Sequence, residues 1–415
     1  MSRPTIPVSL PWNSWQESHD LKLDFPGSWS VEVFAPADLP EVSESEIAGH
    51  AQRLIKEIER TRPARVVLAV DDLTRPLSYR AFFDPLIEFW QTHAHRPQIT
   101  VVVGLGTHGP LSSRELEWKL GSACVNADFL QVLNHNYKSE VADAGFEWGN
   151  IRVQVNRHFL QADFRVVLST VVPHPFAGFS GGAKMVWPGL SSIEVTRRSH
   201  QMALMGFAGK PGTVHNNKFR RIIDGFLDQL PVHYFVGFLT DARRRCVFVD
   251  SGEIRGTYQR VVQQAESFYR VSLPEDARYD VVWLNAYPKD TELVQLDTGF
   301  LPVLTAGRSF WSEDAIFVLS GSASKGVGKH GLFEPGGLLY RAPRPKRFLA
   351  GRPLWLFLPG VSSKECHQLF WDQYPHFQSL GELRNALSNA FPEAASVAIF
   401  PAAAITIVEG AGEKQ

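Results

Sequence analysis

Short apolar runs alternate with stretches of helical periodicity along most of the chain. In the first half, the runs ARVVLAVDD (64–72), QITVVVGLG (98–106) and FRVVLSTVV (164–172) are rich in β-branched residues and bounded by turn residues. Continuous apolar runs of this kind are typical of strands buried on both faces of a parallel sheet. Because they alternate with helical patterns, they predict βαβ units and an α/β fold.

A second block of the same alternation begins near residue 278. Its predicted strands are YDVVWLNA (279–286), AIFVLSG (315–321), PLWLFLPG (353–360) and SVAIFPAAAITIVEG (396–410). Between the two blocks, the segment 226–253 predicts the end of a helix followed by a β-hairpin. A chain of 415 residues is also too long for one ordinary domain. We therefore predict two α/β domains with mostly parallel sheets, residues 1–270 and residues 271–415.

Two helix starts carry a capping-box pattern. Ser112 and Glu115 have this spacing, and Gly121 follows at the point where the helix should end. Ser191 and Glu194 have the same spacing and predict the start of a second helix, which carries His200.

Composition excludes several classes of protein. The chain is 44% hydrophobic and 20% charged with a net charge of −1, which is normal for a globular protein with a sizeable core. It has no basic surplus for a nucleic-acid partner, no apolar run long enough to cross a membrane, and no secretory leader pattern. The three cysteines fit neither a disulfide framework nor a zinc cluster. We expect a cytoplasmic protein. A homo-oligomer is possible by sequence, and the oligomeric state is left open.

Polar and ionisable residues follow the predicted strands. In open α/β sheets, ligands bind beyond the carboxyl ends of the strands, so these positions predict a site. The residues are Asp71, Asp72, Thr74 and Arg75 after the first strand, His108 after the second, His174 after the third, Lys289 and Asp290 after YDVVWLNA, and Lys325 and Lys329 after AIFVLSG.

Two glycine-rich motifs carry further signals. GLGTHG (104–109) matches the dinucleotide-binding pattern G-x-G-x-x-G, with Asp128 as an acidic residue downstream, and leaves an NAD-dependent dehydrogenase open as an alternative. GFSGGAK (178–184) can direct backbone N–H groups at an anion, and its lysine could be a nucleophile or a covalent anchor. His200, taken alone, is more typical of a packed or surface histidine than of a metal ligand.

Taken together, four segments resemble the lactate racemase superfamily, whose members use a nickel-pincer nucleotide. These are DDLTRP (71–76), GTHGP (106–110), HPFAGFSGGAKMVWPG (174–189) with a downstream histidine, and YPKDTELVQ (287–295). The resemblance implies two α/β domains with the active site in the cleft between them. It also implies a pyridinium mononucleotide that carries a thioamide and a thiocarboxylate and binds Ni(II).

The resemblance assigns roles by position. Lys184 would be joined to the cofactor, His200 would be the nickel ligand, and His108 and His174 would be the acid/base pair of a reversible hydride transfer. Two histidines suit this chemistry, because each can be a base in one direction and an acid in the other near neutral pH. The remaining positions would be Asp72, Thr74, Arg75, Gly181 and Gly182 around the cofactor, and Arg75, Lys289, Gln295 and Thr298 around the substrate.

One departure from the family pattern bears on the substrate. The family has a lysine three residues after the glutamine, where this chain has Thr298 after Gln295. A cation is therefore missing there or supplied by Lys289, Lys325 or Lys329. A hydroxyl at this place favours a hydroxylated 2-hydroxy acid such as an aldonic acid, with malate and lactate as alternatives.

The implied activity is a racemase or 2-epimerase of a 2-hydroxy acid, and its implied partners are that substrate and the enzymes that make the cofactor. Another alternative is a non-catalytic protein that binds a sugar acid or a nucleotide.

Overall fold

The computed structural model describes residues 4–14 and 18–409. These form two compact units, one of residues 38–267 and one of residues 1–37 together with 268–415. The prediction that residues 1–37 belong to the first domain is therefore wrong. The reason is a long-range strand pairing, in which Ser30–Val33 lies parallel to Ser396–Phe400.

The secondary structure alternates between strands and helices in both units. The α-helices are α1 (Glu44–Thr61), α2 (Arg80–Thr92), α3 (Ser113–Leu120), α4 (Ser122–Val125), α5 (Arg157–Gln161), α6 (Ile193–Met202), α7 (Lys218–Gly225), α8 (Ile254–Phe268), α9 (Leu301–Thr305), α10 (Ser363–Cys366) and α11 (Leu380–Ala390). The strands are β1 (Thr5–Trp12), β2 (His19–Pro26), β3 (Ser30–Val33), β4 (Arg65–Asp71), β5 (Gln98–Gly104), β6 (Leu130–Asn134), β7 (Val141–Trp148), β8 (Ile151–Asn156), β9 (Phe164–Thr170), β10 (Pro173–His174), β11 (Gly178–Phe179), β12 (Tyr234–Thr240), β13 (Cys246–Gly252), β14 (Arg270–Val271), β15 (Tyr279–Asn285), β16 (Trp311–Ser320), β17 (Leu354–Phe357), β18 (His376–Phe377), β19 (Ser396–Phe400) and β20 (Ile407–Val408).

The unit of residues 38–267 is built on a six-stranded sheet with the order β13-β12-β9-β4-β5-β6. All neighbours in this sheet are parallel except β12 and β13, which form the predicted hairpin. The chain runs outward from β4 through β5 to β6 and returns on the other side of β4 as β9. The topological switch point of the sheet therefore lies between β4 and β9, where ligands bind in open α/β sheets.

Helix α1 shows how the flanking layer is held on this sheet. Ser43 caps its amino end by accepting a hydrogen bond from the amide of Glu46. Its buried residues recur at helical spacing and include Leu54 and Ile55, each contributing about 1.5–3 kcal/mol of hydrophobic free energy. The acidic first turn, with Glu44 and Glu46, further favours the helix start through the helix dipole.

The other unit has a six-stranded, fully parallel sheet with the order β18-β17-β16-β15-β19-β3. Its two core layers lie on opposite faces, and residues that alternate along β15 enter different layers: Val282 and Leu284 one, Val281 and Trp283 the other. The sheet reverses its strand order between β15 and β19.

The prediction of an α/β architecture with mostly parallel sheets is confirmed. The capping box of Ser112 and Glu115 is also confirmed, with Gly121 as the C-cap. The predicted box at Ser191 and Glu194 is wrong. The N-cap residue of α6 is Ser192, whose side chain forms no capping hydrogen bond, and the hydroxyl of Ser191 donates to the carbonyl of Val186. No helix formed by the described residues is long and apolar enough to span a membrane.

Candidate active site

The carboxyl edge of the β4–β9 sheet carries the predicted residues of the first unit. Strand β4 ends at Asp71 and is followed by Asp72, while β9 ends at Thr170, shortly before His174. Strand β5 ends at Gly104, and the turn after it carries His108. Three neighbouring strands thus deliver these side chains to one edge at the switch point.

Asp72 and His108 form a hydrogen-bonded pair across two of these strand ends. The Nδ1 of His108 lies 2.5 Å from Oδ2 of Asp72. The other carboxylate oxygen, Oδ1, accepts hydrogen bonds from the amide of Thr74 at 3.1 Å and from its hydroxyl at 2.5 Å. Arg75 in turn donates to the hydroxyl oxygen of Thr74 at 2.5 Å. Asp72 therefore binds His108 directly. Its predicted position beside a cofactor did not include this contact.

The charge of Asp72 is maintained by these contacts. Burial alone would raise the pKa of this carboxyl group, but the charge of His108, its hydrogen bond, and the contributions of Arg75 and Thr74 bring the pKa well below its usual value. The carboxylate stays ionised and acts as an acceptor, so Nδ1 of His108 carries the proton of the pair. The lone pair of the neutral His108 ring is then on Nε2.

His174 has the opposite arrangement. Its Nδ1 accepts hydrogen bonds from the amides of Phe176 at 3.1 Å and Ala177 at 3.2 Å. Because a backbone amide can only donate, the proton of a neutral His174 must be on Nε2. The two histidines therefore hold complementary tautomers: His108 presents a lone pair at Nε2 and His174 presents a proton at Nε2.

His200 is oriented by its own helix. Its Nδ1 donates to the carbonyl of Thr196 at 2.8 Å, which leaves the lone pair on Nε2. Burial, followed by the positive charges of Lys184 and His108, lowers the pKa of His200 to about 4 despite that bond. A neutral imidazole whose second nitrogen donates to a carbonyl is the usual form of a metal-ligating histidine.

Lys184 lies in the 3-10 segment Gly182–Met185 that follows β11. Burial lowers its pKa to about 7, assisted by the positive charges of Arg75 and Arg220 and opposed by Asp72. A large fraction of this amine is therefore uncharged at neutral pH, which is the form that can act as a nucleophile. Since Lys184, His200, His108 and Asp72 influence one another's charges, they form a single electrostatic cluster.

Gly181 and Gly182 precede this lysine with φ values of 79° and 58°, which favour glycine. A Cβ on Gly181 would come within 2.7 Å of the Ser169 hydroxyl, and one on Gly182 within 2.8 Å of the Tyr258 ring. Glycine is thus required here by close packing against the protein itself. Their predicted contact with a nucleotide stays a prediction.

The turn GLGTHG differs from a dinucleotide-binding turn. In the latter the glycines open a helix directly, whereas α3 begins only at Ser113, after its own cap at Ser112. Gly106 instead donates to the carbonyl of Gly189 at 2.9 Å, which ties the turn to the lysine-bearing loop.

The substrate residues predicted after β15 lie in the other unit. Lys289 is buried, and Asp290 beside it accepts hydrogen bonds from the amides of Asn13 at 2.7 Å and Ser14 at 3.1 Å. Burial raises the pKa of Asp290, and these bonds oppose the rise. Asp290 therefore anchors the segment after β1, next to Lys289.

Thr298 and Gln295 share one face of the 3-10 segment Leu293–Phe300, because residues three apart align in such a helix. The Thr298 hydroxyl donates to the Gln295 carbonyl at 2.7 Å. On another face, Lys346 donates to both oxygens of Asp297 at 2.8 and 2.6 Å. Lys346 therefore does not replace the missing lysine, and the predicted alternatives Lys325 and Lys329 are exposed on the loop after β16.

Sequence reasoning missed a buried cluster behind this edge, formed by Asp71, Tyr79 and Lys119. Lys119 occupies the last turn of α3, where a lysine normally lies in solvent and favours the helix dipole. Its side chain is 0% exposed and forms an ion pair with Asp71 at 2.6 Å. No local signal in SSRELEWKLG separates a buried lysine from a solvated one.

The described residues contain no group of three or more His, Cys, Asp or Glu side chains able to hold a metal ion. His200 can supply a single oriented imidazole ligand, because its Nδ1 donates to the carbonyl of Thr196.

Part of the chain is similar in sequence to a known family. Residues 17–209 match the lactate racemase N-terminal domain. Lactate racemase of Thermoanaerobacterium thermosaccharolyticum is 20% identical over 269 residues, which cover 65% of this chain and 62% of that protein. Lactate racemase of Lactiplantibacillus plantarum is 21% identical over 288 residues, 68% of this chain and 65% of that protein. The chain thus aligns with slightly less than two thirds of each relative.

Two solved structures share the fold. The lactate racemase apoprotein from Thermoanaerobacterium thermosaccharolyticum has a TM-score of 0.72 at 17% identity, covering 97% of this chain and 100% of that chain. A protein from Thermotoga maritima has a TM-score of 0.64 at 16% identity, covering 90% and 100%. Residues 17–209 therefore resemble the lactate racemase N-terminal domain, and the described chain shares its fold with the lactate racemase apoprotein.

Proposed function

We propose that the protein interconverts the two C2 epimers of a 2-hydroxy acid, as a racemase or 2-epimerase, with a nickel-pincer nucleotide attached to Lys184 and ligated by His200. The observation that carries this proposal is the electrostatic cluster of Lys184, His200, His108 and Asp72 at the switch point of the sheet. A weakly basic amine, an oriented neutral imidazole and a carboxylate–histidine pair are the groups that such a reaction needs.

The residues fit the implied cofactor. The lowered pKa of Lys184 favours the neutral amine that must form a covalent bond, and Nε2 of His200 holds the lone pair for nickel. Nitrogen and soft donors in a planar arrangement suit Ni(II). When bound, the nucleotide supplies a reversible hydride acceptor, which avoids a carbanion next to an ionised carboxylate.

The chain itself moves the hydroxyl protons. Nε2 of His108 takes the proton of the substrate hydroxyl, while Asp72 stabilises the resulting imidazolium through Nδ1. Nε2 of His174 donates a hydrogen bond to the same oxygen and assists the return of the proton from His108 when either epimer forms. His108 carries the proton and His174 polarises the oxygen, so the enzyme needs both histidines. Arg75, held by Thr74, balances a carboxylate or phosphate charge.

The substrate class follows from Thr298. Its face of the 3-10 segment carries a hydroxyl and an amide in place of an amine, and Lys346 is bound to Asp297 on another face. A polar, hydroxylated acid such as an aldonate suits this face better than a small acid held mainly by charge. We therefore expect aldonates to react faster than malate and lactate.

The test is a panel of aldonates, malate and lactate, each as one C2 epimer, incubated without NAD with protein co-expressed with the cofactor-making enzymes. We expect epimerisation of at least one acid, one nickel per chain and a mass adduct at Lys184. Lys184→Ala should lose the adduct, whereas Lys56→Ala, on the exposed side of α1, should retain it. Cofactor-loaded cells that yield protein without nickel and without an adduct would refute the proposal.

The same assay separates the alternatives. A dehydrogenase would bind NADH, with a fluorescence change on mixing, and would require NAD for turnover. A binding protein would bind the acid without epimerising it, in spite of a full complement of nickel.

A further inference from the structure

Two neighbouring aspartates at the end of β4 point to different partners. Asp72 binds His108, while Asp71 is buried behind it. The carboxylate of Asp71 accepts hydrogen bonds from the hydroxyl of Tyr79 at 2.8 Å, from Nζ of Lys119 at 2.6 Å and from the amide of Thr170 at 2.6 Å. This single carboxylate thus joins β4 to the start of α2, the end of α3 and the end of β9.

Lys119 uses its amine to bind the backbone of the loop after β4. Besides Asp71, Nζ donates to the carbonyl of Arg75 at 2.8 Å and to the carbonyl of Asp72 at 3.3 Å. The backbone of Lys119 also takes part, because its carbonyl accepts from the amide of Tyr79 at 2.7 Å. The loop that carries Asp72, Thr74 and Arg75 is therefore bound at both of its ends by one lysine.

The elements joined in this way are those that carry the proposed acid/base groups. Helix α3 ends the segment that starts with the His108 turn, and Thr170 is four residues before His174. A buried ion pair is in general weak support for stability, because well-packed hydrophobic residues of similar volume often stabilise as well or better. What hydrophobic residues cannot do is bind two loop carbonyls and a strand amide at once.

We infer that Lys119, with Asp71 as its partner, is a positioning residue that holds the 72–77 loop and thereby the Asp72–His108 pair. That this geometry serves catalysis rests on the proposed function. The positioning itself is a property of the protein without cofactor. It also follows that Lys119 touches neither substrate nor cofactor and acts only through the backbone that it binds.

Hydrogen exchange in the cofactor-free protein measures this positioning directly. The amide of Thr74 is protected by the Asp72 carboxylate, that of Arg75 by the Asp72 carbonyl, and that of Leu77 by the Arg75 carbonyl. In Lys119→Met, we expect these three amides to exchange at least about tenfold faster, because the loop can then open without breaking the hydrogen bonds from Nζ of Lys119.

The decisive variant combines Asp71→Asn with Lys119→Met, because it leaves no unpaired buried charge. We expect its Tm to recover towards that of wild type while the loop amides still exchange about tenfold faster. The matched control is Arg165→Met, which removes a cation at the amino end of β9 that donates to the carbonyls of Phe159 and Leu160 in α5. The control should lower the Tm without faster exchange in the 72–77 loop.

Loaded enzyme supplies the second measurement. We expect the double variant to lose at least about tenfold in kcat, with the nickel content and the adduct at Lys184 unchanged. Wild-type exchange in the loop of the double variant would overturn the inference, as would recovery of kcat together with the Tm. A wild-type protein that turns over no 2-hydroxy acid would instead overturn the proposed function and leave the exchange result valid.

Discussion

Asp72→Asn removes one charge from the proposed site and leaves its shape intact. In the structure, Oδ1 of Asp72 accepts from both the amide and the hydroxyl of Thr74. The amide oxygen of an asparagine must take this place, since the NH2 group cannot accept. The NH2 group then faces Nδ1 of His108, which is 2.5 Å from the present Oδ2.

That arrangement forces His108 to change its tautomer. Nδ1 becomes an acceptor, the proton moves to Nε2, and the lone pair that would take the substrate proton is lost. The imidazolium of His108 also loses its counter-charge. A base in the wrong tautomer, or one that is lost, costs about 10²–10⁴ in rate. This corresponds to about 3–5 kcal/mol in the activation barrier.

Two measurements check this chain of reasoning. Epimerisation by the loaded variant gives kcat, and ¹⁵N NMR of the cofactor-free protein gives the tautomer of His108. The control is Asp128→Asn, at the exposed acidic residue that a dinucleotide-binding turn would use. We expect this control to keep the wild-type kcat. An Asp72→Asn protein with unchanged kcat, or with the His108 proton still on Nδ1, would show that the carboxylate does not set the base.

Three further predictions concern metal binding, pH and thiol reactivity. His200→Ala should lower the nickel content of the loaded protein several-fold while the adduct persists, as read by elemental analysis and mass spectrometry; unchanged nickel would exclude His200 as a ligand. Burial lowers the pKa of His135 to about 4. The buried neutral ring of His135 therefore contributes its full stability above pH 6.5. This contribution is lost as the pH falls towards 4, which lowers the free energy of unfolding by about 3 kcal/mol. Urea unfolding at pH 7 and 4.5 should show a smaller loss in His135→Gln than in wild type, and equal losses would contradict this. Burial raises the pKa of Cys124, Cys246 and Cys366 to about 12, so a thiol reagent at pH 8 should label them only after unfolding; rapid labelling of the native protein would contradict their burial.

The parallel sheets were predictable because their signal is local. Buried parallel strands are continuous apolar runs, and the residues that follow them reach the same edge by topology alone. The order of strands and turns therefore predicts that Asp72, His108 and His174 lie near one another. The pairing of Asp72 with His108 was not predictable, because it depends on side-chain directions within two turns.

Long-range strand pairing and buried polar contacts could not be predicted from the sequence. The placement of β3 beside β19 requires contacts across the whole chain, and four residues of mixed polarity do not specify them. The burial of Lys119 was not predicted, because a lysine in the last turn of a helix is normally solvated. The start of α6 was displaced by one residue because Ser191 and Ser192 are equivalent by composition, and only the bond from Ser191 to Val186 separates them.

The pairing of β3 with β19 also affects how the chain folds during synthesis. Residues 38–267 form a continuous unit, which can fold as soon as it leaves the ribosome. Strand β3 must wait for β19, several hundred residues later, which takes some tens of seconds at about 5–20 residues per second. Until then, β3 has an unpaired edge that can bind other chains. Slower growth at low temperature should therefore improve the yield of soluble full-length protein more than that of a 38–267 fragment.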